Sequence, residues 1–143
     1  MAEGGKAQEY HQVQVRTASP DQLLLMLLDG AVRFAEGGRE HLARRNHEEK
    51  CNLLIKAENI VLELIQSLSP SVGEKIYANL IGLYKFIYRK LAEANIQNDP
   101  QKLEEALKIL LNVRETWRQA VAGYRREAAG GETVASPGIS VEA

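Results

Sequence analysis

The sequence has a single cysteine, few aromatic residues and no excess of charge of either sign. Because Cys51 has no second cysteine to pair with, an internal disulfide is excluded and a reducing compartment is favoured. Lysine and arginine number 18 and aspartate and glutamate 19, so no overall field would attract nucleic acid or an anionic membrane. No apolar run approaches the roughly 20 residues that cross a bilayer, and residues 1–6 do not resemble a secretory signal. These absences predict a cytoplasmic domain.

The residue spacings that catalysis and metal binding require are also missing. Metal sites in helical bundles often pair a glutamate with a histidine three positions later, but none of His11, His41 and His47 follows a glutamate in this way. The chain has no glycine-rich phosphate loop, no Gly-x-Ser-x-Gly motif and no paired-cysteine spacing. Cys51 is interpreted as a small packing residue. We therefore predict no enzyme activity, no cofactor and no metal.

A helix-entry signal opens the most informative stretch, residues 17–34. Ser19 is suited to the N-cap, Pro20 to the first helical position, and Gln22 completes a capping box. Residues 23–28 are then apolar without a gap, which places apolar side chains on every side of the helix. Such a turn has to be covered on more than one side, by its own chain or by a partner.

Four segments carry apolar residues at helical spacing, at about residues 20–45, 48–68, 74–94 and 100–127. Turn residues separate them, above all Ser69-Pro70-Ser71-Val72-Gly73. Connections this short make neighbouring helices antiparallel, so the pattern predicts an all-α, antiparallel up-down four-helix bundle. The expected domains are a flexible N-terminal arm at 1–16, the bundle at 17–127 and a disordered tail at 128–143.

Two of the helices have more apolar surface than one core seam needs. The expected seam of the first helix is Leu24, Leu27, Ala31, Phe34, Gly38 and Leu42, with a second stripe of Leu25, Leu28 and Val32. The expected seam of the third is Ile76, Leu80, Leu83/Tyr84, Ile87, Leu91 and Ala94, with a second flank of Tyr77, Ile81 and Tyr88. The extra residues either widen the core or line a groove for a partner, and both alternatives stay open. Gly37-Gly38 likewise marks either a kink or a close helix approach.

Several motifs occur in order along the chain. They are Thr17-Ala18-Ser19-Pro20-x-x-Leu23-Leu24-x-Met26-Leu27-x-Asp29-Gly30-Ala31-x-Arg33-Phe34, Lys56-Ala57-x-x-Ile60, Asn79-Leu80-x-x-Leu83-Tyr84-x-Phe86-Ile87, and a last helix bearing Trp117. Together they closely resemble the signature of FliS, the flagellin-specific export chaperone family. One position departs from the family pattern, since Leu28 stands where a tyrosine usually precedes Asp29-Gly30.

The resemblance implies a cytoplasmic bundle that binds the disordered C-terminal segment of flagellin, delays its polymerisation and aids its delivery to the type III export apparatus. An export-gate component, a co-chaperone or an anti-sigma factor are further candidate partners. The alternative is a homo-dimerisation or scaffold module without a flagellin client. The residues expected to bind the partner are Tyr10, Val13, Val15, Leu25, Leu28, Asp29, Val32, Tyr77, Ile81, Tyr84 and Tyr88. We expect the arm that carries the first three to cover part of the groove until flagellin displaces it.

Overall fold

The first helix begins with the predicted capping box. In the structure, a computed structural model that describes residues 19–129, the Ser19 hydroxyl accepts a hydrogen bond from the Gln22 backbone N–H at 3.4 Å. The Ser19 N–H donates to Gln22 Oε1 at 3.0 Å, and Pro20 is the first helical residue. Two backbone donors that the helix cannot satisfy internally are thereby paired, and the chain enters the bundle at a defined point.

Four helices make up the described part of the chain. They are α1 (Pro20–Ala43), α2 (His47–Ser67), α3 (Glu74–Gln97) and α4 (Pro100–Ala129), with a 3₁₀ turn at Pro70–Val72 between α2 and α3. Each helix packs against the next in the chain, and α4 packs back against α1. Across that last interface Arg39 pairs with Glu104 and Asp29 pairs with Arg114, so the two helices run antiparallel. The predicted four-helix architecture is confirmed.

Short capped turns connect the helices. Asp99 accepts hydrogen bonds from the backbone N–H groups of Gln101 and Lys102 at 2.9 and 3.2 Å, which caps α4 as the Asp99-Pro100 pair predicts. Gly73, at the entry to α3, has φ +111°, a conformation in which a Cβ is strained. These local signals explain why the helix ends lie within about three residues of the expected positions.

The core occupies a wider arc of α1 than the sequence pattern predicts. Leu28 and Val32 are buried with Leu24, so of the two alternatives left open for the second stripe, the structure selects a wider core for these two residues. Conversely, Leu27 and Phe34, expected in the seam, only pack against the edge of the core. The reason is that α1 lies between α2 and α4, and both cover it.

The first half of α3 differs from the predicted seam in the opposite sense. Ile76 is 54% exposed and Leu83 38%, whereas the buried residues of α3 begin at Tyr84. Helical spacing places these side chains on the core-facing side of α3. They become buried only where another helix packs over that side, and spacing alone does not say where this happens. The N-terminal half of α3 therefore adds exposed apolar surface at one end of the bundle.

Small residues let α1 and α2 approach closely. A Cβ built on Gly38 would lie 2.8 Å from Leu54 Cγ, and one on Gly37 would lie 3.1 Å from Leu53 Cδ1. Helix α1 continues through both glycines to Ala43. Of the two alternatives for Gly37-Gly38, the structure therefore selects the close approach.

Two classes of site are absent from the described residues. No helix within residues 19–129 is long and apolar enough to cross a membrane. Over the same range, no group of three or more histidine, cysteine, aspartate or glutamate side chains is arranged to hold a metal ion. The predicted arm at 1–16 lies outside this range. So does the predicted tail at 128–143, except for residues 128 and 129, which belong to α4 and are helical.

We predict that Gly38→Ala lowers the free energy of unfolding by about 1–3 kcal/mol, because the new methyl group overlaps Leu54 in a packed interface. Gly82→Ala is the matched control, since Gly82 is exposed within α3 and a Cβ there meets nothing within 4 Å. That control should gain up to about 1 kcal/mol from helix propensity. Urea denaturation followed by circular dichroism measures both, and equal stability of the two variants would contradict the tight approach.

Candidate functional site

A buried lysine joins α2 to α3 at one end of the bundle. Lys50 is only 4% exposed, and its Nζ donates to the backbone oxygen and to Oδ1 of Asn95, both at 2.8 Å. Asn95 lies in the last turn of α3, where the helix dipole favours a cation. The Asn95 side-chain amide also donates to Cys51 Sγ at 3.7 Å. These contacts place Cys51 and Asn95 on facing sides of the two helices.

The same register identifies the other residues that face each other along α2 and α3. Positions seven apart share a helix face, so Glu58 and Ile65 follow Cys51 on α2, and Tyr88 and Ile81 precede Asn95 on α3. We call the apolar surface along this seam the α2–α3 face. Its residues are Ile55, Leu62 and Ile65 of α2 and Tyr77, Ile81 and Tyr88 of α3.

The α2–α3 face is partly covered on its inner side and open on its outer side. Ile65, Tyr77, Ile81 and Tyr88 are partly buried and pack against the core. Ile55 and Leu62, seven residues apart, are 45% and 36% exposed. An apolar surface of this kind, with tyrosines among its residues, is typical of a site for another protein segment.

Ion pairs join α4 to both of its neighbours, α1 and α3. Lys90 pairs with Glu105 at 3.1 Å and Lys102 with Glu93 at 2.7 Å, joining α3 to α4. The Lys102 hydrogen bond, opposed by desolvation and aided by nearby cations, holds the pKa of Glu93 below its ordinary value. Within residues 19–129, by contrast, no ion pair joins α2 to α3. Apart from the Lys50, Asn95 and Cys51 contacts at one end and Glu58 further along α2, the α2–α3 interface is therefore apolar in character.

Asp29, expected to bind the partner, has an intramolecular role in the structure. Its Oδ1 lies 3.4 Å from Arg114 Nη1 and 3.7 Å from Arg118 Nη2, so it joins α1 to α4. The carboxylate is about half exposed, and exposed pairs of this kind contribute little to stability. Whether Asp29 also contacts a partner stays a prediction.

Comparison with known proteins decides the family. The family model described as flagellar protein FliS matches residues 2–124. The chain belongs to the FliS family. This confirms the family that the sequence motifs indicate.

Relatives with curated names support the assignment. The chain is 38% identical over 123 residues to the flagellar secretion chaperone FliS of Salmonella typhimurium (strain LT2), which covers 82% of this chain and 90% of that one. It is 33% identical over 126 residues to the FliS of Bacillus subtilis (strain 168), with coverage of 88% and 93%. A crystal structure of a bacterial flagellar chaperone matches with a TM-score of 0.67 at 21% identity, covering 85% of this chain and 98% of that chain, which supports the fold. FliS is a family of chaperones, which confirms the prediction that the chain is not an enzyme.

The structure separates the predicted FliS partner-binding residues into groups. Tyr10, Val13 and Val15 lie outside the described residues. Leu28, Val32 and Tyr84 are at most 2% exposed and have no surface to offer a partner. Leu25, Tyr77, Ile81 and Tyr88 are partly buried at the edge of the core. The last three of these lie together on the α2–α3 face, while Leu25 lies on α1.

Sequence reasoning missed the α2 half of the surface. Ile55 and Leu62 were outside every predicted stripe, yet they are the most exposed members of the α2–α3 face. Their spacing of seven residues was the available signal, because it places two large apolar side chains on one side of a helix away from the seam.

Tyr84 has a structural role inside the FliS bundle. The Trp117 Nε1–H donates to the Tyr84 hydroxyl at 2.9 Å, in a site where both side chains are buried. Burial raises the pKa of Tyr84 to about 12, although the hydrogen bond from Trp117 acts in the opposite direction. The pair joins α3 to α4 through the core and satisfies two polar groups that would otherwise be unfavourable there.

Replacing Tyr84 with phenylalanine should lower the free energy of unfolding by about 1–3 kcal/mol, because the buried Trp117 N–H loses its acceptor. Urea denaturation followed by the fluorescence of Trp117, the single tryptophan, measures this. Tyr88→Phe, on the partly buried edge of the same helix, is the control and should change stability less. An equal loss in both variants would contradict the assigned role of the hydrogen bond.

Stability should also fall at alkaline pH through Tyr84. The unfolded tyrosine loses its proton near pH 10, whereas the folded residue keeps it to about pH 12. The contribution of the protonated Tyr84 to the free energy of unfolding is complete below about pH 10. It is lost as pH rises towards about 12, by up to about 1.4 kcal/mol per pH unit. In denaturation experiments across this pH range, the free energy of unfolding should decrease more steeply with pH for the wild type than for Tyr84→Phe. Parallel pH profiles would show that Tyr84 titrates normally.

Proposed function

We propose that this FliS-family protein is a cytoplasmic export chaperone for flagellin. It binds the disordered C-terminal segment of flagellin, prevents premature polymerisation and aids delivery to the flagellar type III secretion apparatus. Family membership supports the chaperone role, and the predicted specificity for flagellin comes from the resemblance of the motifs.

The observation that carries the binding site is the α2–α3 face. Two large side chains, Ile55 and Leu62, remain exposed on α2 next to partly buried aromatic and aliphatic residues of α3. A surface that joins the core and runs along two helices suits an amphipathic helix lying lengthwise. Apolar residues at positions i, i+3 or i+4 and i+7 of the client would contact it.

The chemistry of the function is binding alone. A flagellin terminus that is built to pack against other flagellins exposes apolar residues before export, and covering them removes those residues from self-assembly. Because the segment becomes ordered on binding, part of the interaction free energy is spent on its conformational entropy. The affinity per contact area is therefore modest, which suits a client that has to be released at the export apparatus.

The full-length chain should bind a peptide of the flagellin C-terminal segment from the same bacterium in isothermal titration calorimetry. Ile55→Asp combined with Leu62→Asp should weaken binding by tenfold or more (about 1.4 kcal/mol) with unchanged helicity, because two apolar contacts are replaced by charges. Asn52→Asp with Asn59→Asp is the matched control, since it adds the same charges to exposed positions of α2. The control should bind like the wild type.

Three results would contradict the proposal. A wild-type chain that ignores the peptide is not a flagellin chaperone. If the Ile55/Leu62 variant binds normally, the site lies elsewhere. If size-exclusion chromatography with light scattering shows that this variant converts a dimer into a monomer while peptide binding is unaffected, the face serves homo-dimerisation, the alternative function.

A further inference from the structure

Glu58 is a partly buried acid with one carboxylate oxygen that lacks a hydrogen-bond partner among the described residues. That atom, Oε2, is shielded from solvent. The residue lies in α2, seven positions after Cys51, on the side that faces α3. Burial raises the pKa of the Glu58 carboxyl above its ordinary value. In the free protein this carboxylate is therefore held in an unfavourable environment.

The neighbours of Glu58 along its own helix cannot pair with it. The residues three and four positions away in each direction are all aliphatic; they are Leu54, Ile55, Val61 and Leu62. A helix normally offers an acid its partner at these positions. Lys50, the buried cation of α2, is already bound to Asn95 at the end of α3. An acid in this position serves no evident purpose in the isolated bundle.

Glu58 lies within the α2–α3 face. Ile55, Glu58, Leu62 and Ile65 are spaced i, i+3, i+7 and i+10, which forms one continuous stripe on α2. Two of the apolar members, Ile55 and Leu62, are exposed on either side of the acid. A helix lying along the face would place its own side chains over Glu58 and shield it further from water.

We propose that Glu58 is a specificity-determining residue that binds a lysine or arginine of the client helix, between two apolar contacts. The occupant is an amphipathic segment of the flagellin C-terminus with a cationic residue flanked by apolar ones, so the inference rests on the proposed function. A cation matches the site best because a charge-assisted hydrogen bond to a carboxylate is about twice as strong as a neutral one. It also compensates the desolvation that the free protein leaves uncompensated.

This role predicts opposite effects on stability and on binding. In Glu58→Met the unpaired acid is replaced by an apolar side chain of similar length, so the melting temperature of the free protein should rise by a few degrees. The same variant should bind the flagellin C-terminal peptide about tenfold or more weakly in calorimetry, because the client cation loses its partner. Glu58→Gln, which keeps an acceptor oxygen without the charge, should fall between the wild type and Glu58→Met. Glu63→Met, at an exposed position of the same helix, is the control and should leave binding unchanged.

A double-mutant cycle identifies the client residue. Each lysine or arginine of the peptide is replaced in turn by methionine, and one replacement should weaken binding to the wild type while having little further effect on Glu58→Met. If the wild type binds the peptide but Glu58→Met binds equally well, the inference is wrong and the proposed function stands. If Glu58→Met loses both stability and binding, Glu58 is a structural residue and the inference is also wrong. If the wild type does not bind, the proposed function fails and the inference fails with it.

Discussion

The close packing of α1 against α2 is the constraint on which the rest of the bundle depends. Gly38 leaves no room for a methyl group beside Leu54, so the two helices are held at a fixed separation and rotation. One flank of α2 is thereby fully used against α1. The flank on the other side, where Glu58 and Ile65 follow Cys51 at intervals of seven residues, is turned towards α3, because Cys51 contacts Asn95. Ile55 and Leu62, next to that flank, are not covered by another helix. Close packing of α2 against α1 on one side therefore goes together with an exposed apolar surface on the other.

Polar contacts are distributed unevenly around the four interfaces. Ion pairs join α4 to both of its neighbours, while the α2–α3 interface has its polar contacts concentrated at Lys50 and Asn95. Exposed ion pairs contribute little energy, but they set register and discourage apolar partners at the edges they occupy. Among the described residues the α1–α2 and α2–α3 interfaces both lack ion pairs, but the first is closed by the tight packing of Gly37 and Gly38, whereas exposed apolar residues flank the second. The arrangement fits a FliS-family chaperone, in which the fold has to be stable and one face has to stay available.

Local signals in the sequence were sufficient for the helices, the turns and the family. Capping at Ser19 and Asp99 depends on side chains next to the backbone groups they satisfy, so it can be read without tertiary information. The buried arc of each helix could not be read this way, because adjacent positions differ by only 100° and the covering helix decides between them. Leu28 is buried and Leu27 is not, for that reason. The shielded carboxylate oxygen of Glu58 could not be predicted from the sequence, since an acid in an amphipathic helix ordinarily lies in solvent.

The Lys50 contacts have a consequence for the size of what the α2–α3 face can hold. Helices α2 and α3 are tethered at one end by these hydrogen bonds and at the other by the short chain through Pro70–Val72. Between the tethers, from Cys51 to the end of α2 at Ser67, the helix is about 24 Å long at a rise of about 1.5 Å per residue. The two connections thus fix the length of the α2–α3 face. A helix of roughly four turns matches this length, which sets the size of client helix that the proposed binding site would accommodate.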